Sequence, residues 1–230
     1  LRELGRERSG VTWFEAPEGF HARPDGVWRG DELVVARGDV PLPGVHNLRN
    51  VAAALATADL LGVPAPAALP AIRSFEALPH RLQTVLGEPR GRAWVDDSIS
   101  TTPQSAIAAM AVYEDRPLTV LLGGTDRGQE HDELVAALES RRPPTAAVLL
   151  ADTGPRIAAA LTTESVAVRD AADVGEAVAL ADALTPEGGV VLLSPAAASF
   201  PAFRSFEERG ERFAAAARAL VESRAQRGLR

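Results

Sequence analysis

Beyond about residue 92, short apolar runs recur along the chain: Ala93-Trp94-Val95, Leu118–Leu122, Ala146–Leu150, Val166–Val168 and Val190–Leu193. Unbroken apolarity, without polar alternation, marks strands buried on both faces. Between these runs, apolar residues fall three and four apart over Pro103–Tyr113, Asp132–Glu139, Pro155–Leu161 and Asp173–Ala183, and again in a last stretch from Ser205 to Ser223. Strands alternating with helices predict βαβ units, so the fold class is α/β, with a Rossmann-like, mostly parallel sheet flanked by helices. The Arg- and Glu-rich tail after Val221 is expected to fray.

The first part of the chain has a different texture. Val11–Phe14 and Glu32–Ala36 are β-type runs interrupted by Gly, Pro and Asp, with a turn at Pro24-Asp25-Gly26, and they predict hairpins or edge strands. From His46 to Leu61 the spacing becomes helical; Gly62 and Pro64 end that helix, and a second one follows to about Phe75. Leu78-Pro79-His80-Arg81 has the character of a hinge leading into a strand over Leu82–Leu86. No internal repeat is visible.

Composition narrows what such a fold can do. The 230 residues are 46% hydrophobic and carry a net charge of −7, which suits a packed core and argues against a nucleic-acid footprint. With no cysteine, disulfides and thiolate metal sites are excluded. No apolar run is long enough to insert in a membrane, and the start, Leu1-Arg2-Glu3-Leu4, reads as neither an initiator methionine nor a signal peptide. All 24 basic residues are arginine. A GxxxxGK[ST] phosphate loop and Schiff-base chemistry are therefore impossible within this stretch. His-Glu-x-x-His, EF-hand and Gly-x-Ser-x-Gly patterns are also missing, so no catalytic residue and no metal ligand is assigned.

In an open α/β sheet, ligands gather outside the carboxyl ends of the strands. Three loops there are unusual. Asp96-Asp97-Ser98-Ile99-Ser100-Thr101-Thr102-Pro103 places carboxylates and hydroxyls ahead of a helix, where capping by Thr102 is the simpler alternative. Gly123-Gly124-Thr125-Asp126-Arg127-Gly128 can bring backbone and a guanidinium close to an anion, or can be an ordinary βα turn. Ser194-Pro195-Ala196-Ala197-Ala198-Ser199-Phe200 leaves space for a ligand or packs tightly beneath the last helix. His21 and His131 read as surface residues, and His46 and His80 as capping residues at element boundaries.

Taken in order, Gly44-Val45-His46-Asn47-Leu48-Arg49-Asn50, Leu78-Pro79-His80-Arg81, Asp97-Ser98-Ile99-Ser100-Thr101-Thr102-Pro103, Gly123-Gly124 with Asp126-Arg127, and Leu192–Phe200 continuing to Phe206-Glu207-Glu208-Arg209-Gly210 resemble the second half of a Mur ligase, in its glutamate-adding branch. The likeness covers nearly everything from Gly44 onward. It implies that residues 1–86 are the end of a central ATP-binding domain without its P-loop part, and that 87–230 are the C-terminal Rossmann-like amino-acid-binding domain. It further implies ATP-dependent amide formation in peptidoglycan precursor synthesis, through an acyl phosphate. The substrates would be UDP-N-acetylmuramoyl-L-alanine and glutamate, with ATP and Mg²⁺ as cofactors, the metal ligands lying mainly upstream. A cytoplasmic monomer, inactive as this stretch alone, is the corresponding expectation.

By the same resemblance, His46, Asn47 and Asn50 lie on the adenine side of the nucleotide, Arg81 meets its phosphates and Asp97 its ribose. Thr101, Arg127, Ser199 and Phe206 hold the incoming glutamate. Two departures bear on the amino acid: Ile99 stands where lysine is usual, and Arg127 replaces another common lysine, keeping the charge on a planar fork. D-glutamate and L-glutamate both remain open. The alternatives are another Mur-type branch, such as a folylpolyglutamate synthase or the diaminopimelate-adding enzymes, and a non-catalytic anion-binding α/β module. The Ser194–Gly210 segment and the lack of an Asp-Asn-Pro-Arg motif count against those other branches.

Overall fold

The structure, a computed structural model, describes residues 11–88 and 91–228; the Leu1–Leu4 start lies outside them. Two compact units divide at Ala77/Leu78. The strand that precedes residue 87 thus belongs with the second unit.

The first unit pairs β1 (Phe20–Arg23), β2 (Gly26–Arg29) and β3 (Glu32–Ala36) into an antiparallel meander covered by α1 (Val45–Leu60) and α2 (Ala65–Arg73). Pro24-Asp25 closes the first hairpin, with Arg23 opposite Gly26. Gly26 is required there: its φ is +154°, and a Cβ would lie 2.2 Å from the Val35 carbonyl oxygen. Phe20, Val27, Val35, Leu48 and Leu55 form the core. Helix α1 ends as its sequence foretells, with Gly62 at φ +79° and the Val63 N–H bonded back to the Ala58 carbonyl at 2.9 Å. Val11–Phe14 is a correction: it forms no strand. The bonds just beyond it (Glu15 N–H to Phe20 O at 2.8 Å, Gly19 N–H to Ala16 O at 2.9 Å) close a loop around Pro17, and Val11 and Phe14 stay exposed.

The second unit is built on a six-stranded sheet in the order β4-β5-β9-β6-β7-β8. The strands are β4 (Gln83–Leu86), β5 (Ala93–Asp96), β6 (Leu118–Gly124), β7 (Thr145–Asp152), β8 (Val166–Asp170) and β9 (Val190–Leu193). Only β4 runs antiparallel to its neighbour; all other pairs are parallel. The helices are α3 (Pro103–Ala111), α4 (Asp132–Glu139), α5 (Gly154–Ala160), α6 (Val174–Leu184) and α7 (Phe206–Gly228).

The apolar runs feed two cores because successive strand residues point to opposite faces. Val95, Leu122, Leu149 and Leu192 pack with Met110, Leu134, Leu138 and Ile157 on one side. Trp94, Leu121, Val148 and Leu193 pack with Val178 and Phe213 on the other. The α/β sandwich expected from the periodicity is present. The fraying expected after Val221 is a correction: α7 continues to Gly228, and Arg224 forms an ion pair with the buried Asp182 of α6, which also pairs with Arg92 at 3.2 Å. An apolar tally along the tail misses this, because charge rather than apolar area docks its last turns.

Candidate functional site

Strands β5, β9 and β6 lie side by side, so the three unusual loops leave the sheet as neighbours. Backbone bonds join them: Asp97 N–H to Leu193 O (2.8 Å), Gly123 N–H to Pro195 O (2.8 Å), Ala196 N–H to Ser100 O (3.0 Å) and Thr125 N–H to Ala198 O (2.9 Å). The Thr125 hydroxyl also donates to the Phe200 carbonyl. Ser194 to Ser199 is buried throughout although it is a loop. Tight packing therefore explains its small residues: a Cβ on Gly124 would sit 2.5 Å from the Ala198 carbonyl oxygen. Ala196 holds a φ of +55° in this arrangement, a left-handed conformation that costs a non-glycine residue about 1–3 kcal/mol.

The loop after β5 ends in a reciprocal cap. The Thr102 side chain accepts from the Ser105 N–H while the Ser105 hydroxyl faces the Thr102 backbone, with Pro103 at the first helical position. Capping thus accounts for Thr102 and leaves Thr101, half-buried, just outside the helix. The Gln129 amide faces two carbonyls, so its NH₂ is assigned to that side, where it donates to the Thr101 carbonyl at 3.3 Å and the Ala196 carbonyl at 3.2 Å and adds the β6 loop to the other two.

The consecutive aspartates serve different neighbours. Asp96, buried at the end of β5, accepts from the Ser98 N–H (2.9 Å) and lies 2.7 Å from His80 Nδ1. His80 was expected to cap an element; instead it stands at φ +60° with its ring edge-on to Phe206. Asp97 accepts from the Leu82 N–H (3.1 Å) and the Ser194 hydroxyl (2.8 Å). Burial pushes its carboxyl above the usual carboxylate range, and Asp96 adds to the rise, against hydrogen bonds from Ser100, Ser194 and Leu82 that favour the ion.

A raised folded-state pKa has a definite sign. The stability that Asp97 contributes is full below its unfolded pKa, about 3.9, and is lost as pH rises through the folded value. Asp97→Asn keeps an acceptor for Leu82 and offers an NH₂ to Ser194. Urea midpoints for the two chains at pH 4 and pH 7 are expected to shift in favour of the variant at the higher pH. Parallel pH dependence in both would refute this account.

Behind these loops lies a residue that pattern reading passed over. Arg209, in the first turns of α7, is fully buried. Its Nε donates to the Ser98 hydroxyl (3.0 Å), Nη1 to the Ala197 carbonyl (3.1 Å) and Nη2 to the Ser98 carbonyl (2.8 Å), while the Ser98 hydroxyl donates to the Phe206 carbonyl (2.7 Å). Burial lowers the guanidinium pKa to about 10, partly offset by Asp96. The available signal was an arginine inside the Phe206–Gly210 motif with no assigned partner.

The remaining expected residues separate by unit. In the first, Asn47 is buried, donates to the Pro43 carbonyl (2.7 Å) and accepts from Asn50 (3.1 Å); both asparagines border an apolar groove of about 330 Å³ that includes Leu42, Val51, Ile72 and Phe75. His46 is half-buried on the first turn of α1. In the second unit Arg81 is half-buried, Arg127 exposed, Ser199 buried and Phe206 half-buried at the start of α7. Thr101, Ser199 and Arg127 are thus carried by the three joined loops.

The surface expectation for His131 is corrected. It is 5% exposed at the N-cap of α4, and its Nε2 has no hydrogen-bond partner among the described residues. Burial, with Arg156 nearby, lowers its pKa. Its polar sequence neighbours Glu130 and Asp132 are exposed, which is what misled the reading. His21 is half-buried, its ring accepting from Arg23 Nε at 3.2 Å. Among the described residues, no group of three or more His, Asp or Glu side chains could hold a metal ion. Among the described residues no helix is long and apolar enough to cross a membrane.

The loops after β5, β9 and β6 thus form one polar rim at the carboxyl ends of a doubly covered α/β sheet, where ligands gather in folds of this class. Residues 80–197 match the family described as Mur ligase, glutamate ligase domain, and the chain belongs to that family. It is 46% identical over 219 residues to a UDP-N-acetylmuramoyl-L-alanine–L-glutamate ligase of Xanthomonas oryzae pv. oryzae, covering 93% of this chain and 46% of that protein. A Xylella fastidiosa protein of the same name is 43% identical, with the same two coverages. The chain thus spans about half the length of the curated relatives it matches. Among solved structures, UDP-N-acetylmuramate-alanine ligase from Thermotoga maritima superposes with a TM-score of 0.61 at 17% identity, over 87% of this chain and 46% of that one.

Proposed function

We propose that this chain is the C-terminal portion of an ATP-dependent amide ligase that adds L-glutamate to UDP-N-acetylmuramoyl-L-alanine. The observation that carries the reading is the joining of the Thr101, Ser199 and Arg127 loops at one edge of the sheet. A hydroxyl pair and a guanidinium there suit an amino-acid dicarboxylate, with Phe206, at the start of α7, as the fourth expected contact. Arg81 suits phosphate oxygens, and Asp97, with one acceptor site left beside its bonds from Leu82, Ser194 and Ser100, suits a ribose hydroxyl. In the first unit, the groove bordered by Asn47 and Asn50, with His46 beside it on α1, suits a planar base.

In this reading the alanyl carboxylate attacks the γ-phosphorus of ATP and ADP leaves. The glutamate nitrogen then attacks the acyl carbon, phosphate leaves, and the nitrogen gives up a proton. The residues of this chain contribute position, and the Mg²⁺ ligands lie mainly outside it. The L-configuration is preferred over D because the relatives above carry L-glutamate in their names, and because Ile99 removes a cation where lysine is usual while Arg127 keeps its charge on a planar fork. Phosphate release by the full-length protein with UDP-N-acetylmuramoyl-L-alanine and ATP, offered L-glutamate or D-glutamate in parallel, tests the reading. Turnover with L-glutamate is expected. Turnover with D-glutamate alone refutes the stereochemical assignment, and turnover with neither refutes the functional one.

A further inference from the structure

Arg127 is exposed and makes no hydrogen bond or ion pair of its own among the described residues. The backbone that carries it is gripped on both sides by one side chain from another element. Arg156, in α5, donates through Nη1 to Asp126 Oδ2 at 2.6 Å and through Nη2 to the Gln129 carbonyl at 3.4 Å. The other Asp126 oxygen accepts the Gly128 N–H at 2.8 Å, with Gly128 at φ +73°. The four residues from Asp126 to Gln129 therefore form a closed turn, held from outside at its first and last members. The Gln129 side chain then sets that turn against the Thr101 and Ala196 carbonyls.

The Asp126–Arg156 pair is substantially exposed, with side chains 34% and 44% accessible. Pairs of that kind add little to global stability, so folding alone gives no reason for the arrangement. Its evident consequence is local: Arg127 leaves a turn whose ends cannot shift independently of α5. We propose that Arg156 is a positioning residue for the amino-acid substrate, fixing through Asp126 and Gln129 the point from which Arg127 meets a substrate carboxylate. The inference rests on the ligase reading above and adds a determinant outside the three loops. Only a planar fork spans both acceptors; an ammonium reaches one of them.

The test is steady-state kinetics on the full-length protein carrying Arg156→Ala or Arg156→Lys. For Arg156→Ala the glutamate KM is expected to rise about tenfold, the scale of one weakened charged contact. The kcat, and the KM values for ATP and the UDP-linked substrate, are expected to stay within about twofold, the urea midpoint unchanged. Arg156→Lys, which keeps the Asp126 contact, is expected to recover part of the loss, and Gln129→Ala to raise the same KM from the opposite side of the turn. An unchanged glutamate KM in both Arg156→Ala and Gln129→Ala overturns the proposal. So does a fall in kcat with all three KM values unmoved. If the unsubstituted protein turns over neither glutamate, the functional reading itself fails and the proposal fails with it.

Discussion

Replacing Arg209 with alanine is expected to cost the chain about 3–5 kcal/mol of stability, the combined effect of buried carbonyls left unpaired and a void in the packing. The side chain is fully buried, and its three donors go to the Ser98 hydroxyl, the Ser98 carbonyl and the Ala197 carbonyl. Truncation leaves two buried carbonyls without donors, each worth about 1–3 kcal/mol, and a void where the guanidinium lay. Among the described residues no carboxylate hydrogen-bonds the guanidinium, so the loss is mainly that of a hydrogen-bonding clasp between α7 and the loops after β5 and β9. Two further variants separate the contributions. Arg209→Met fills the volume and leaves the carbonyls unpaired, so it should remain well below the parent. Arg209→Lys restores a charge with a single donor centre and should fall between the two. Urea unfolding followed by circular dichroism reads all three. A methionine variant as stable as the parent would mean that volume, not hydrogen bonding, is what Arg209 supplies.

The sheet was legible because burial on both faces writes itself as unbroken apolar runs: Leu118–Leu122 and Val190–Leu193 became central strands β6 and β9 within a residue or two. The first unit was less so. Phe20–Arg23 and Gly26–Arg29 are short, polar-flanked strands with one covered face, whereas Val11–Phe14 has stronger local β character and no strand partner among the described residues. Strand pairing is a long-range event, and local propensity does not report it.

At the site, motif order brought Thr101, Arg127 and Ser199 to loops that the structure joins. Hidden from pattern reading was the frame behind them. Arg209 and Ser98 lie 111 positions apart, and Arg156 and Asp126 lie 30 apart. Each pair meets only after the sheet order is set. Charged residues are read by default as solvated, and that default fails for Arg209 and Asp182, both buried and met by partners distant in sequence.

Gly210→Ala should be the second most damaging small change, against its helix propensity. It is buried in α7, where alanine ordinarily gains up to about 1 kcal/mol over glycine. Here an added Cβ would lie 2.3 Å from His80 Nδ1 and 2.4 Å from Asp96 Oδ2, the two atoms that bond each other at 2.7 Å. Asp96 is 1% exposed and has little room to retreat, since its other oxygen accepts from Ser98. Either the His80–Asp96 bond opens or α7 lifts from β5, and overpacking of this kind costs about 1–3 kcal/mol. The net change is therefore a loss in the parent background. The sign should reverse once the obstruction is removed: in a chain already carrying His80→Ala and Asp96→Ala, the methyl enters vacated space and only the propensity gain remains. Urea midpoints for the four chains of that cycle decide the matter. A loss of equal size in both backgrounds would show that Gly210 is needed by the helix or its loops, and that the histidine–aspartate pair does not set its identity.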